Sequence, residues 1–100
     1  MKIKNTTIIS REKQLLIDEI DQEIVVFNEK TQNTHILNEI AGFILKHAEN
    51  ITFLDLVKLT YDNLSDEDHN NLALDEIYND CAEFINHLYE NHLIILENND

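Results

Sequence analysis

Proline and tryptophan are absent from this chain of 100 residues, and glycine and cysteine occur once each, as Gly42 and Cys81. A single glycine leaves no Gly-rich loop to cradle a phosphate. With no Pro/Gly-rich linker and no internal repeat, residues 1–100 read as one domain. A lone cysteine excludes an internal disulfide framework and a cysteine-based zinc site. No apolar run approaches bilayer-spanning length, and the opening Met1-Lys2-Ile3-Lys4-Asn5-Thr6-Thr7 lacks the apolar core of a signal peptide. These absences together point to the cytoplasm. Bases are scarce too: seven Lys and Arg face twenty acids, a formal net charge of −13. After Lys58 come eleven acids and no Lys or Arg. Binding a duplex or an anionic membrane needs cations to answer the phosphates, so neither is an expected partner. The acidity either keeps a small protein soluble or attracts a basic peptide or protein, and composition leaves both readings open.

What is present is enough to fold. Hydrophobic residues make up 43% of the chain, sufficient for one modest core. The first third reads as strands. Leu15-Leu16-Ile17 is a short apolar run that leads into an acidic turn around Asp18, Glu19 and Asp21. Ile24-Val25-Val26-Phe27 is β-branched and aromatic, and it stops at the polar stretch Asn28 to Asn33. Thr34-His35-Ile36-Leu37 then resumes the extended pattern, which predicts an antiparallel hairpin. With no glycine to take a left-handed turn, Asn28 and Asn33 are the expected substitutes. Ile3 to Ile9 offers a further strand.

After Leu37 the period becomes helical. Asn38 is a good N-cap with Glu39 in the first turn, and Ile40, Phe43, Ile44 and Ala48 mark one face of a helix ending near Glu49. A second helix starts at Thr52, with Asp55 three residues on in a capping-box place. Its apolar face is Phe53, Leu56, Val57, Tyr61 and Leu64. Ser65 to Asn71 is a polar connector. The third helix, about Leu74 to Asn91, carries two apolar stripes. Leu74, Ile77, Cys81, Phe84 and Leu88 form the expected core stripe; Tyr78, Ala82, Ile85 and Tyr89 form its neighbour, wider than one small core requires. Leu93-Ile94-Ile95-Leu96 closes the chain as a strand or a core-docking tail. The expected fold is α+β and winged-helix-like: a small antiparallel sheet followed by a three-helix bundle.

Residues that carry chemistry are scattered. His35, His47, His69, His87 and His92 show no tight ligand repeat. Glu83 and His87 stand four apart on one helix, and two ligands do not make a metal site. Cys81 falls on the core stripe and reads as a small buried apolar residue. The pairs Asp18/Glu19 and Glu67/Asp68 sit in expected turns, where solvation is the default. No catalytic constellation, metal site or cofactor is expected, and enzyme activity in this chain is not.

Two segments carry a resemblance. Thr34-His35-Ile36-Leu37-Asn38-Glu39-Ile40-Ala41-Gly42-Phe43-Ile44 resembles the strand, Leu-Asn, small-residue, Ile junction of the PqqD family. That family comprises the peptide chaperones of pyrroloquinoline quinone biosynthesis and related precursor-peptide recognition elements. Asp80-Cys81-Ala82-Glu83-Phe84-Ile85-Asn86-His87-Leu88-Tyr89-Glu90-Asn91-His92-Leu93-Ile94 looks like the family's closing helix, particularly in its lasso-peptide branch. One departure stands out: His92 occupies the place where the family has glycine, a left-handed helix terminator. Asn91 is one candidate to take that role.

The resemblance implies a non-catalytic peptide chaperone. It would bind the leader of a ribosomally made precursor by adding it to a sheet edge, and would present it to a modifying enzyme such as a radical S-adenosylmethionine enzyme or a leader peptidase. The implied edge is Thr34, His35, Ile36 and Leu37. The groove wall would be Tyr78, Ala82, Ile85 and Tyr89, with Asp75 and Glu83 answering basic leader positions. The alternative is an acidic winged-helix adaptor or regulator that binds a folded protein. A nucleic-acid-binding winged helix would need a basic recognition helix, and the third helix here has no Lys or Arg.

Overall fold

Among the described residues the elements follow in the order β1 (Ile8–Arg11), β2 (Leu15–Ile20), β3 (Glu23–Asn28), β4 (Asn33–Leu37), α1 (Glu39–His47), β5 (Ile51–Thr52), α2 (Phe53–Leu64), α3 (Leu74–Glu90) and β6 (Ile94–Glu97). The computed structural model describes residues 2–21, 23–64 and 74–98, so the connector expected at Ser65 to Asn71 lies outside the described residues.

Period-two alternation builds the first sheet. Ile24, Val26 and Asn28 of β3 are buried while the residues between them are not, so β3 turns one face to the core. β2 and β4 flank it antiparallel in the order β2-β3-β4. Here the structure corrects two expectations. Asp18 and Glu19 lie within β2 rather than in a turn, because the strand runs on to Ile20 before Asp21 turns with φ 50°. In the next turn Gln32, not Asn28 or Asn33, takes the left-handed conformation, with φ 61°. Asn28 is buried and works through its side chain. Its Oδ1 accepts from the backbone N–H groups of Lys30 (2.9 Å) and Thr31 (3.2 Å), and its Nδ2 donates to the His92 carbonyl at 2.9 Å. One amide thus closes the hairpin turn and ties it to the end of α3.

The second sheet is non-local. β1 pairs with both β5 and β6 in the order β5-β1-β6, bringing the two ends of the chain together. Ile9 sits opposite Leu96, and both are buried. The strand expected within Ile3 to Ile9 is displaced to Ile8–Arg11, and the closing segment is a strand rather than a docking tail.

The caps read from sequence are made. Asn38 Oδ1 accepts from the Ala41 N–H at 2.8 Å, and Thr52 Oγ1 accepts from the Asp55 N–H at 3.2 Å. At the far end of α1 the Arg11 guanidinium donates to the carbonyl of Lys46 and pairs with Glu49. Gly42 is where α1 crosses β3: a Cβ there would stand 2.2 Å from Ile24 Cγ1 and 3.0 Å from Ile24 Cβ. Glycine at position 42 is therefore a requirement of close helix–sheet approach. The core under this crossing gathers Ile44 and Leu45 of α1, Phe53, Leu56 and Val57 of α2, and Ile77, Cys81, Ile85 and Leu88 of α3.

The stripes of α3 are rotated from expectation. Ile85 is fully buried, whereas Leu74 is 49% exposed and Phe84 half-buried. The buried positions follow spacings of four, four and three, the ridge that a helix presents when it packs on helices. The helix ends without glycine. His92 has φ 61°, its N–H bonds the Tyr89 carbonyl at 3.1 Å, and the Leu93 N–H reaches back to the Leu88 carbonyl at 2.9 Å. This is a Schellman terminator with a histidine in the left-handed position, and the apolar pair that accompanies such a motif is Leu88 with Leu93. His92, not Asn91, takes the role. A β-carbon there costs about 1–2 kcal/mol, partly offset by glycine's greater freedom when unfolded. His92→Gly is expected to raise stability by about 0.5–1 kcal/mol in a denaturant melt. A lower midpoint would show that the imidazole itself is needed.

Candidate functional site

The strand edges hold the site's most informative geometry. Among the described residues β4 pairs with β3 alone, so its other side has no backbone partner. Which of its N–H groups face that side follows from parity. The Glu29 N–H bonds the Gln14 carbonyl at 2.9 Å, which continues the β2–β3 ladder by one pair. In an antiparallel ladder bonded and non-bonded pairs alternate. Glu29, Phe27, Val25 and Glu23 therefore direct their backbone groups to β2, while Asn28, Val26 and Ile24 direct theirs to β4. The partners of the latter three are Asn33, His35 and Leu37. Thr34 and Ile36 are left, with N–H and C=O pointing out of the sheet edge. Ile36 is also 67% exposed.

The residues singled out from sequence fall into three places. Thr34, His35, Ile36 and Leu37 share β4, with His35 and Leu37 facing the core side and Thr34 and Ile36 the opposite side. On α3, Asp75 and Glu83 are exposed, Ala82 is half-buried against the core, and Ile85 lies wholly within it. Ile85 cannot line an open wall, because its helix turns that ridge to the interior. Tyr78 is engaged elsewhere: its ring stands edge-on to Phe53 at 4.9 Å and its hydroxyl donates to Asn5 Oδ1 at 2.6 Å. Tyr89 is 38% exposed and lines a cavity of about 580 Å³ between the β3–β4 turn, the end of α3 and β6. Asn28, Lys30, Thr31, His92 and Ile94 line it too. None of these five was legible as a site residue. The cavity joins the turn to β6 across more than sixty residues of sequence, a juxtaposition that no local pattern encodes.

Two buried side-chain polar atoms among the described residues have no hydrogen-bond partner, Thr31 Oγ1 and His35 Nε2. Both belong to the hairpin that carries the open edge. An unsatisfied buried polar atom costs about 1–3 kcal/mol, so such atoms mark places where an incoming group can repay a standing penalty.

Burial pushes the Cys81 thiol up to about 11, Asp80 adds to the rise and a hydrogen bond with Thr60 opposes it, so the thiol is protonated near neutral pH. His47 packs its ring on Phe43 at 4.3 Å, and the His87 Nε2 lies 3.4 Å from the Asn91 amide. Among the described residues no group of three or more His, Cys, Asp or Glu gathers as metal ligands, while His69, Glu67 and Asp68 lie outside them. No described helix is long and apolar enough to cross a membrane.

Comparison with known proteins places this architecture. No curated protein matches the chain. Two solved structures are similar to it in fold. TbiB1 in complex with the TbiA(beta) leader peptide is 17% identical with a TM-score of 0.70, over 91% of this chain and 98% of that one. A lasso peptide synthetase B1 complexed with the leader peptide is 13% identical with a TM-score of 0.69, over 88% of this chain and 98% of that one. The family model of coenzyme PQQ synthesis protein D matches residues 23–94, from β3 through α1, α2 and α3 to the start of β6. The chain belongs to the PqqD family.

Proposed function

We propose that this domain binds the leader segment of a ribosomally synthesised precursor peptide by strand addition to β4 and presents it to a peptide-modifying enzyme. The observation that carries the reading is the pair of outward backbone positions, Thr34 and Ile36, on a strand with no second partner among the described residues. An extended peptide laid along that edge gains main-chain hydrogen bonds, and its alternate side chains find pockets beside it. The cavity at Thr31 and Tyr89 lies beyond the Asn33 end of β4, and the orphaned Thr31 Oγ1 and His35 Nε2 sit on the same hairpin. Membership of the PqqD family supports it, as do two fold relatives that carry leader peptides.

Asp75, Glu83 and Tyr89 remain available on α3 to meet basic or apolar leader positions. The domain contributes no covalent step. Binding and orientation are its whole work, and the modification belongs to a partner such as a radical S-adenosylmethionine enzyme or a leader peptidase. Isothermal titration calorimetry with separate leader and core peptides of the cognate precursor tests this. Affinity should reside in the leader, and tighter binding by the core peptide would refute the assignment.

A further inference from the structure

The face of the β2-β3-β4 sheet that turns away from the core breaks the usual pattern. An antiparallel sheet with one face on the core normally shows polar residues on the other. The core-side face carries Val26 and Ile24, and α1 covers it as far as β2, where Lys46 pairs with Glu19 at 3.2 Å. Side chains opposite one another share a face. The away-facing set is therefore Leu16, Phe27 and Thr34 across one rung, Asp18, Val25 and Ile36 across the next, and Ile20 with Glu23 at the end. Five of these eight are large and apolar. Leu16, Ile20 and Ile36 remain 58%, 53% and 67% exposed, so no described element lies over them. A contiguous apolar face of this kind on a small domain marks a protein contact.

The charges on this face say what covers it. Asp18 stands between Leu16 and Ile20, Glu23 is at the end and Asp21 is in the adjoining turn, while Lys30 is the one Lys or Arg between residues 15 and 37. A second copy of this chain is the wrong occupant. A two-fold contact sets a patch against itself, so Asp18 and Glu23 would meet their own kind in a chain of net charge −13. We infer that the away-facing surface built on Leu16, Ile20 and Ile36 docks the peptide-modifying enzyme, through an apolar patch rimmed by Lys or Arg. The inference rests on the leader-binding reading for why an enzyme is recruited. It also gives that reading a geometry, because a leader strand added at β4 extends this face and sets its own away-facing side chains at the enzyme.

The test uses the full chain, the purified enzyme that modifies the cognate precursor, and that precursor's leader peptide. Leu16→Ser/Ile20→Ser removes apolar contacts and Asp18→Lys reverses a charge of the face, all on β2 with β3 between them and β4. If either variant perturbs folding, as circular dichroism reports, the other carries the test. Wild-type chain should bind the enzyme, more weakly as salt rises, and each folded variant should bind it about tenfold or more weakly. Leader affinity should stay within about twofold of wild type, since the substituted residues stand on β2, one strand removed from the β4 edge. The inference is overturned if the wild-type chain does not bind the enzyme, or if the folded variants bind it as tightly as wild type. A wild-type dimer in sedimentation that Leu16→Ser/Ile20→Ser dissolves would overturn it as well, by making a second copy the occupant. Failure of the leader reading looks different: the leader would not bind, while enzyme binding would still depend on Leu16 and Ile20.

Discussion

His35→Pro should largely unfold the hairpin, while Ile36→Pro should fold and lose leader affinity. The two residues are neighbours on one strand, and the difference comes from which way each N–H points. His35 is paired with Val26 in a bonded rung, so proline removes a ladder bond and leaves the Val26 carbonyl without its donor. The lost bond and the stranded acceptor together cost about 2–4 kcal/mol. That is a large share of the 5–15 kcal/mol typical of a domain. At Ile36 the N–H faces the open edge, where proline is tolerated in sheets. The fold should lose about 1 kcal/mol or less through the restricted φ, while a leader paired there loses one main-chain bond. Its affinity should drop by about 1 kcal/mol, roughly fivefold, or by more if the ring obstructs the incoming strand. Thermal melts followed by circular dichroism, paired with leader titrations, read both quantities. Full-strength leader binding by Ile36→Pro would mean that the peptide does not pair along β4.

The second large effect is expected at Asn28, a residue without a role in any chemistry. The residue is 2% exposed, and its side chain makes three hydrogen bonds, two that close the β3–β4 turn and one to the His92 carbonyl. Asn28→Ala strands two N–H groups and one carbonyl in partly buried surroundings, for a cost of about 1–3 kcal/mol. Asn28→Asp separates the two halves of the role. A carboxylate can still accept from Lys30 and Thr31, but it cannot donate to His92, and it places a charge beside that carbonyl. Chemical denaturation should therefore find both variants well below wild type. If amide exchange in the β3–β4 turn is followed as well, Asn28→Ala should loosen the turn more than Asn28→Asp does. A melt of Asn28→Ala that matches wild type would show that the turn and the α3 terminator stand without this link.

The sequence by itself determined the parts whose causes are local. β-branched and aromatic runs around a polar loop placed β3 and β4, helical spacing placed α1, α2 and α3, and short-range hydrogen bonds made Asn38 and Thr52 caps. The Leu-Asn-Glu-Ile-Ala-Gly run after β4 carried the family, and the structure supplies its reason: α1 approaches Ile24 too closely for a β-carbon at Gly42. Tertiary structure decided what depends on distant partners. The β5-β1-β6 sheet joins the two ends of the chain, and no window of sequence contains both. Ile85 and Phe84 are similar in hydrophobicity and one position apart. Which of them is buried was set by how α3 rotates against α1 and α2. The left-handed residues Gln32 and His92 were chosen in the same way. The buried amide of Asn28 was already committed to joining their two turns, and the chain met that constraint with residues whose intrinsic preference is otherwise.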